Sequence, residues 1–187
     1  MLGGVKNTPD NAMVCDGMEI PAVTEPITLL FRHEPSDADS AAIRDIVTST
    51  RFFNAEEIAI AVELVEERLK RGEKSGYHFV FAQTREGNVI GYTCYGPISG
   101  TKSSFDLYWI AVHADARGKG LGGVLMKKTE TSMAGMGAVR VYAETSSRAQ
   151  YEPTRAFYEK HGYAQEALLE DFYAEGDGKV IFVKKVR

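Results

Sequence analysis

The residues with the clearest chemical meaning run from Arg117 to Gly123, Arg-Gly-Lys-Gly-Leu-Gly-Gly. They lie between an apolar strand-like stretch and a helix-like one. Closely spaced glycines let a backbone approach a ligand and adopt positive φ. Their N–H groups, at the start of a helix, face outward in the favourable field of the helix's positive end. Arg117 and Lys119 add cationic charge. Together Arg117, Gly118, Lys119, Gly120, Leu121 and Gly122 can cradle a phosphate or pyrophosphate, each hydrogen bond to such a group contributing roughly 1.5–3 kcal/mol. Gly122 and Gly123 could instead serve only close helix packing. Yet glycine in a helix costs about 1 kcal/mol, so its repetition here favours an exposed backbone and an anion site.

Two other anion motifs are weighed and set aside. Gly118-Lys-Gly120-Leu-Gly-Gly123 matches G-x-G-x-x-G, with Glu144 near the place of a ribose-binding acid. However, His113 to Arg117 separate the strand from the first glycine, and the chain offers one crossover rather than a doubly wound parallel sheet. A P-loop reading of Gly96 to Lys102 lacks the Gly-Lys-Ser/Thr ending.

The pattern predicts elements to hold these residues. An apolar strand starts at Ile27, and a helix opens at Ser36-Asp37 and runs to about Thr50. Asn54 with Glu57 forms a capping-box pattern ahead of Ile58, Ala61, Val62, Val65 and Leu69 at helical spacing, and Gly72 ends that run. Strands follow at Tyr77 to Gln83, Val89 to Tyr95 and Ser104 to Val112. A helix covers Gly120 to Met133, a strand Ala138 to Glu144, and a helix begins at Pro153 and closes at Gly162. Two last strands, near Glu166 to Glu170 and Lys179 to Lys184, flank the turn Glu175 to Gly178. The order β-α-α-β-β-β-α-β-α-β-β predicts an α+β fold with a mixed, mostly antiparallel sheet of about seven strands and helices on both faces. Residues 24–187 read as a single domain behind a polar arm, 1–23.

These motifs resemble those of the GNAT superfamily of N-acetyltransferases. Arg117, Gly120 and Gly122 fill its Gln/Arg-x-x-Gly-x-Gly/Ala signature, and Ala156 to Tyr163 resembles its Leu-Tyr-x-x-x-Gly-Phe. The resemblance covers roughly Ile27 to Lys184. It implies acetyl-CoA as co-substrate and a bulge that splays the central strand from the next one, with the pantetheine arm in the gap and the backbone of Ile110, Ala111 and Val112 holding the acetyl carbonyl and pantetheine amides. The amides of Arg117 to Gly122 would take the pyrophosphate, and Tyr158 would protonate the departing thiolate. Phe157, beside Tyr158, reads as the core residue of that helix. The Asn that the family often carries seven residues before its Tyr is Tyr151 here, and the Ala expected four before it is Thr154.

An attacking amine needs a base, because an alkylammonium has an ordinary pKa of about 10. Asp106, eleven residues before Arg117, stands where the histone-acetylating branch places a glutamate base. Strand alternation would put it on the same face as Ile110. Glu144, at the end of the next strand, is the second candidate.

Bulk properties narrow the classes. The 187-residue chain is long enough for one core. A net charge of −4 argues against a nucleic-acid binder, and no apolar run approaches a membrane span. Cys15 and Cys94 fit no metal spacing, and neither do the histidines, so no metal is expected. His113 reads as a loop residue bonding backbone. A reducing cytoplasm is the expected compartment. The predicted activity is acetyl transfer to a primary amine of a small molecule or peptide, in a ternary complex. The alternative is a non-catalytic acyl-CoA-binding sensor, and a homodimer is an open assembly state. The acidic stretch Glu170 to Asp177 suits a cationic acceptor.

Overall fold

The computed structural model describes residues 29–187. The polar arm 1–23, Cys15 and the strand start expected at Ile27 lie outside the described residues. The elements follow the predicted order: β1 (Leu30–Arg32), α1 (Asp39–Ser49), α2 (Ala55–Arg71), β2 (His78–Gln83), β3 (Val89–Pro97), β4 (Ser104–Val112), α3 (Leu121–Gly135), β5 (Arg140–Ser146), α4 (Glu152–Lys160), β6 (Ala164–Ala174) and β7 (Asp177–Lys185). The capping box forms as expected. Asn54 accepts from the Glu57 N–H at 2.9 Å while Glu57 accepts from the Asn54 N–H at 2.8 Å.

The seven strands lie in the order β1-β2-β3-β4-β5-β7-β6. All neighbours are antiparallel except β4 and β5, which α3 joins as a parallel crossover. Helices cover both faces. Leu121, Leu125, Met126 and Met133 of α3 and Tyr158 of α4 share one core with Phe105, Leu107, Val141 and Phe182. Ile43, Ile46 and Val47 of α1 and Ala61, Val62 and Val65 of α2 share the other with Phe79, Phe81 and Tyr92.

Two differences from the sequence reading bear on the site. The last hairpin turns at Glu175-Gly176 alone, and Asp177 and Gly178 already belong to β7. Side chains hold them there. Ser146 donates to Asp177, Arg148 pairs with it at 3.0 Å, and the Gly178 N–H donates to Ser147 Oγ at 2.8 Å. The second difference comes from the bulge that the resemblance implies in β4, which the alternation argument for Asp106 left out. Cys94 pairs with Trp109 but Tyr95 pairs with Leu107, so Tyr108 is an extra, bulged residue. Before the bulge Phe105 and Leu107 join the α3/α4 core, whereas after it Ile110 and Val112 take that side. Trp109 and Ala111 turn to the α1/α2 core. The expectation that Asp106 and Ile110 share a face is therefore overturned, because the extra residue shifts the two-residue period by one.

Candidate active site

The site begins where the sheet comes apart. β4 and β5 pair only from Ser104↔Arg140 to Leu107↔Ala143. Past the bulge the two strands separate, although β4 stays paired to β3 as far as Val112↔Gly91. One row of backbone groups along Tyr108 to Val112 thus faces a gap rather than a strand. The gap opens into a cavity of about 1230 Å³ lined by Ile110, Ala111, Val112, Arg117, Gly118, Gly120, Leu121, Gly122, Glu144 and Tyr158 among others.

At one end stands the glycine-rich turn. The Arg117 N–H donates to Ala114 O at 3.2 Å, and the next backbone donation is from Gly123 to Gly120 O at 3.1 Å. The intervening N–H groups, Gly118 to Gly122, have no backbone acceptor among the described residues. They converge at the start of α3, where a helix leaves its first donors free. Gly118 and Gly120 have φ of 76° and 79°, the left-handed region that glycine enters without strain. Gly122 and Gly123 serve packing instead. A Cβ on Gly122 would lie 3.3 Å from the Phe157 ring, and one on Gly123 would lie 2.8 Å from His161 Nε2. The packing reading holds for Gly122 and Gly123, while the free N–H groups of Gly118 to Gly122 remain available to an anion. Arg117 turns back to donate from Nε to Val112 O at 3.3 Å. Lys119 does not face the main cavity. Its ammonium lies 3.5 Å from Asp115 O, beside a separate cavity of about 700 Å³.

Tyr158 is buried, with its ring centroid 5.4 Å from Phe182 and 5.6 Å from Tyr163. Burial pushes its phenol well above the ordinary value, so it remains protonated. This corrects the assignment of Phe157 as the core residue. Phe157 is half-buried over Gly122, because α4 must fill the space those glycines leave against α3.

The carboxylates divide differently from their sequence ranking. Glu144 lines the cavity, and Lys179 Nζ lies 2.6 Å from its Oε2. Asp106 is outside the lining residues, on the sheet face opposite Ile110. Burial first, and then the charge of Glu144, raise the Asp106 carboxyl to about 6, with Lys179 pulling the other way.

The far end of the cavity carries residues the motifs did not indicate as a group: Phe52, Tyr151, Arg148 and Tyr173. The signal was present in Phe52-Phe53, placed directly before the Asn54 cap, and in Tyr151 where the family has Asn. Among the described residues no three His, Cys, Asp or Glu side chains cluster to hold a metal. No described helix is long and apolar enough to cross a membrane. His113 accepts from the Asp115 N–H at 3.3 Å, as a loop residue bonding backbone.

A split sheet, a helix-start anion cradle and a protonated phenol in one cavity define a class: an acyltransferase that uses a thioester donor with a diphosphate handle. Residues 74–165 match the family model for the acetyltransferase (GNAT) domain. A protein from Desulfovibrio desulfuricans, assigned to the GNAT family of acetyltransferases, is 41% identical over 86% of this chain and 100% of its own, with a TM-score of 0.84. An aminoglycoside 6'-N-acetyltransferase complexed with coenzyme A shares the fold at 17% identity and a TM-score of 0.67, covering 86% of this chain and 98% of its own. So does the ribosomal-protein-S18-alanine N-acetyltransferase of Escherichia coli, at 18% identity and a TM-score of 0.66, over 85% and 94%. A search of curated proteins gave no match. The chain belongs to the GNAT family of acetyltransferases, enzymes that transfer acetyl groups from acetyl-CoA.

Proposed function

We propose that this enzyme acetylates a primary amine, of a small molecule or peptide, by direct attack within a ternary complex. The observation that carries the reading is the β4/β5 gap running continuously from the free N–H groups of Gly118 to Gly122, past Tyr158, to the carboxylate of Glu144. Those features fit acetyl-CoA, which supplies the activated thioester. The Gly118–Gly122 amides would hold its pyrophosphate. The backbone of Ile110, Ala111 and Val112 would orient the pantetheine arm and stabilise the charge developing on the acetyl oxygen.

Tyr158 would donate its phenolic proton to the departing sulfur, a role that its protonated state supports. The incoming ammonium must lose a proton first. Glu144, on the cavity wall, would accept it. Asp106, whose carboxyl burial and the charge of Glu144 raise, would be the second acceptor of that proton. A single cavity open to both donor and acceptor supports direct attack without a covalent enzyme intermediate.

The test is release of free CoA when the protein meets acetyl-CoA and a panel of amines. Tyr158→Phe should lower kcat by about 10²-fold, the usual scale of general acid catalysis, and leave acetyl-CoA affinity within about twofold. A loss confined to affinity removes the acid role. Tight acetyl-CoA binding with no release to any amine favours a non-catalytic sensor.

A further inference from the structure

On the reading that the cavity acetylates an amine, we propose that its acceptor is a small monoamine bearing an aromatic ring. The ring would be seated among Phe52, Tyr151 and Tyr173, with the ammonium turned to Glu144.

Aromatic side chains reach the acceptor end from four elements. Phe52 and Phe53 come from the α1–α2 turn, Tyr108 and Trp109 from β4, Tyr151 from the turn before α4, and Tyr173 from β6. Some of these rings already meet edge to face. Phe52 and Tyr151 lie 4.9 Å apart at 86°, and Phe53 and Trp109 lie 4.8 Å apart at 62°. Tyr173 is 50% exposed and Tyr108 39% exposed, so both keep ring surface available. An aromatic guest gains from such walls beyond the area it buries.

Charge selects the other half of the acceptor. Glu144, Asp177 and Glu57 line the same cavity as Tyr173, whose phenol is raised by burial and then by the charges of Glu144 and Asp177. All three are already engaged. Glu57 caps α2, Asp177 is held by Ser146 and Arg148, and Glu144 by Lys179. A string of ammonium groups would find none of these charges unpartnered, which argues against a polyamine, whereas a single ammonium would share Glu144 with Lys179. Lys179 shows the pattern in place, its ammonium 2.6 Å from Glu144 and 3.9 Å from the centroid of the Phe172 ring. The Phe52–Tyr151 contact spans from the α1–α2 turn to the turn before α4.

Trp109 is the chain's single tryptophan and stands in the cavity wall, so its emission reports occupancy. The full chain, with CoA present, would be titrated with phenethylamine, hexylamine, spermidine and a short peptide with a free N-terminus. Phenethylamine should bind at least ~10-fold more tightly than the other three, the scale of one or two aromatic contacts. Tyr173→Leu should bring it to within about threefold of hexylamine while acetyl-CoA affinity holds. Equal or tighter binding by hexylamine, spermidine or the peptide overturns the proposal, and so does no emission change with any amine. CoA release in parallel samples that hold acetyl-CoA in place of CoA separates the two readings. Ring-selective binding without release refutes acetyl transfer and keeps the aromatic site. Release with aliphatic amines alone refutes the aromatic site and keeps acetyl transfer.

Discussion

Asp106→Asn should stabilise the protein, and only where Asp106 would be ionised. The carboxyl is raised to about 6 in the folded chain against an ordinary value of about 3.9. Between those values the native state holds a proton that the unfolded state has lost, so stability falls as pH rises through the window. At one factor of ten per 1.36 kcal/mol, the full cost above pH 6 would approach about 3 kcal/mol. Asp106 is only partly buried, so water screens part of that cost. About 1–2 kcal/mol is therefore the expected gain for the asparagine variant at pH 7.5. No hydrogen bond holds the Asp106 carboxylate among the described residues, so the near-isosteric change removes little else. Urea denaturation of both proteins at pH 7.5 and again near pH 4 isolates the effect, because the gain should vanish at the lower pH. A stabilisation equal at both pH values, or a loss at pH 7.5, would show that burial and Glu144 do not penalise this charge. The same variant should lose activity if the carboxylate pair serves the attacking amine.

Three further outcomes follow from the same geometry. Lys179→Met removes the cation that holds Asp106 down, so the acid limb of kcat/KM should move to higher pH, read from a pH–rate profile. Gly120→Ala forces a Cβ onto a residue at φ 79°. It should cost about 1–2 kcal/mol and raise the KM for acetyl-CoA more than that for the amine, measured by steady-state kinetics. Gly123→Ala would place its Cβ 2.8 Å from His161 Nε2, in a ring pinned through Nδ1 to Phe157 O at 2.8 Å. It should lower stability by about 1–3 kcal/mol, seen as a drop in Tm, with a smaller effect on acetyl-CoA affinity than Gly120→Ala.

The elements were legible because the chain marks them locally. Asn54 and Glu57 cap α2, Gly72 ends it, and the turn residues between the strands sit where φ must change. The anion cradle was legible for the same reason, since its free N–H groups belong to one short segment. The β4 bulge was expected from the resemblance alone, and nothing in Asp106-Leu-Tyr-Trp-Ile announces that Tyr108 is the unpaired residue. It arises from β4's pairing with β3, and it reverses which side chains face each core. Ranking Asp106 above Glu144 rested on unbroken alternation and on the resemblance. Tertiary placement put Glu144 on the cavity wall and left Asp106 outside it. The aromatic end was missed as a group because Phe52, Tyr151 and Tyr173 lie far apart in sequence and meet only through the fold.

The short β4–β5 ladder has a consequence for the whole molecule. Two antiparallel half-sheets, β1 to β4 and β5 to β7, are stitched together along the four residue pairs from Ser104 to Leu107. A guest lying in the open seam would act as a clasp, lending its amides to a row of backbone groups that no strand serves. Hydrogen exchange along Tyr108 to Val112 would then slow in proportion to seam occupancy. Through mass action the fold's resistance to unfolding would rise and fall with the supply of that guest.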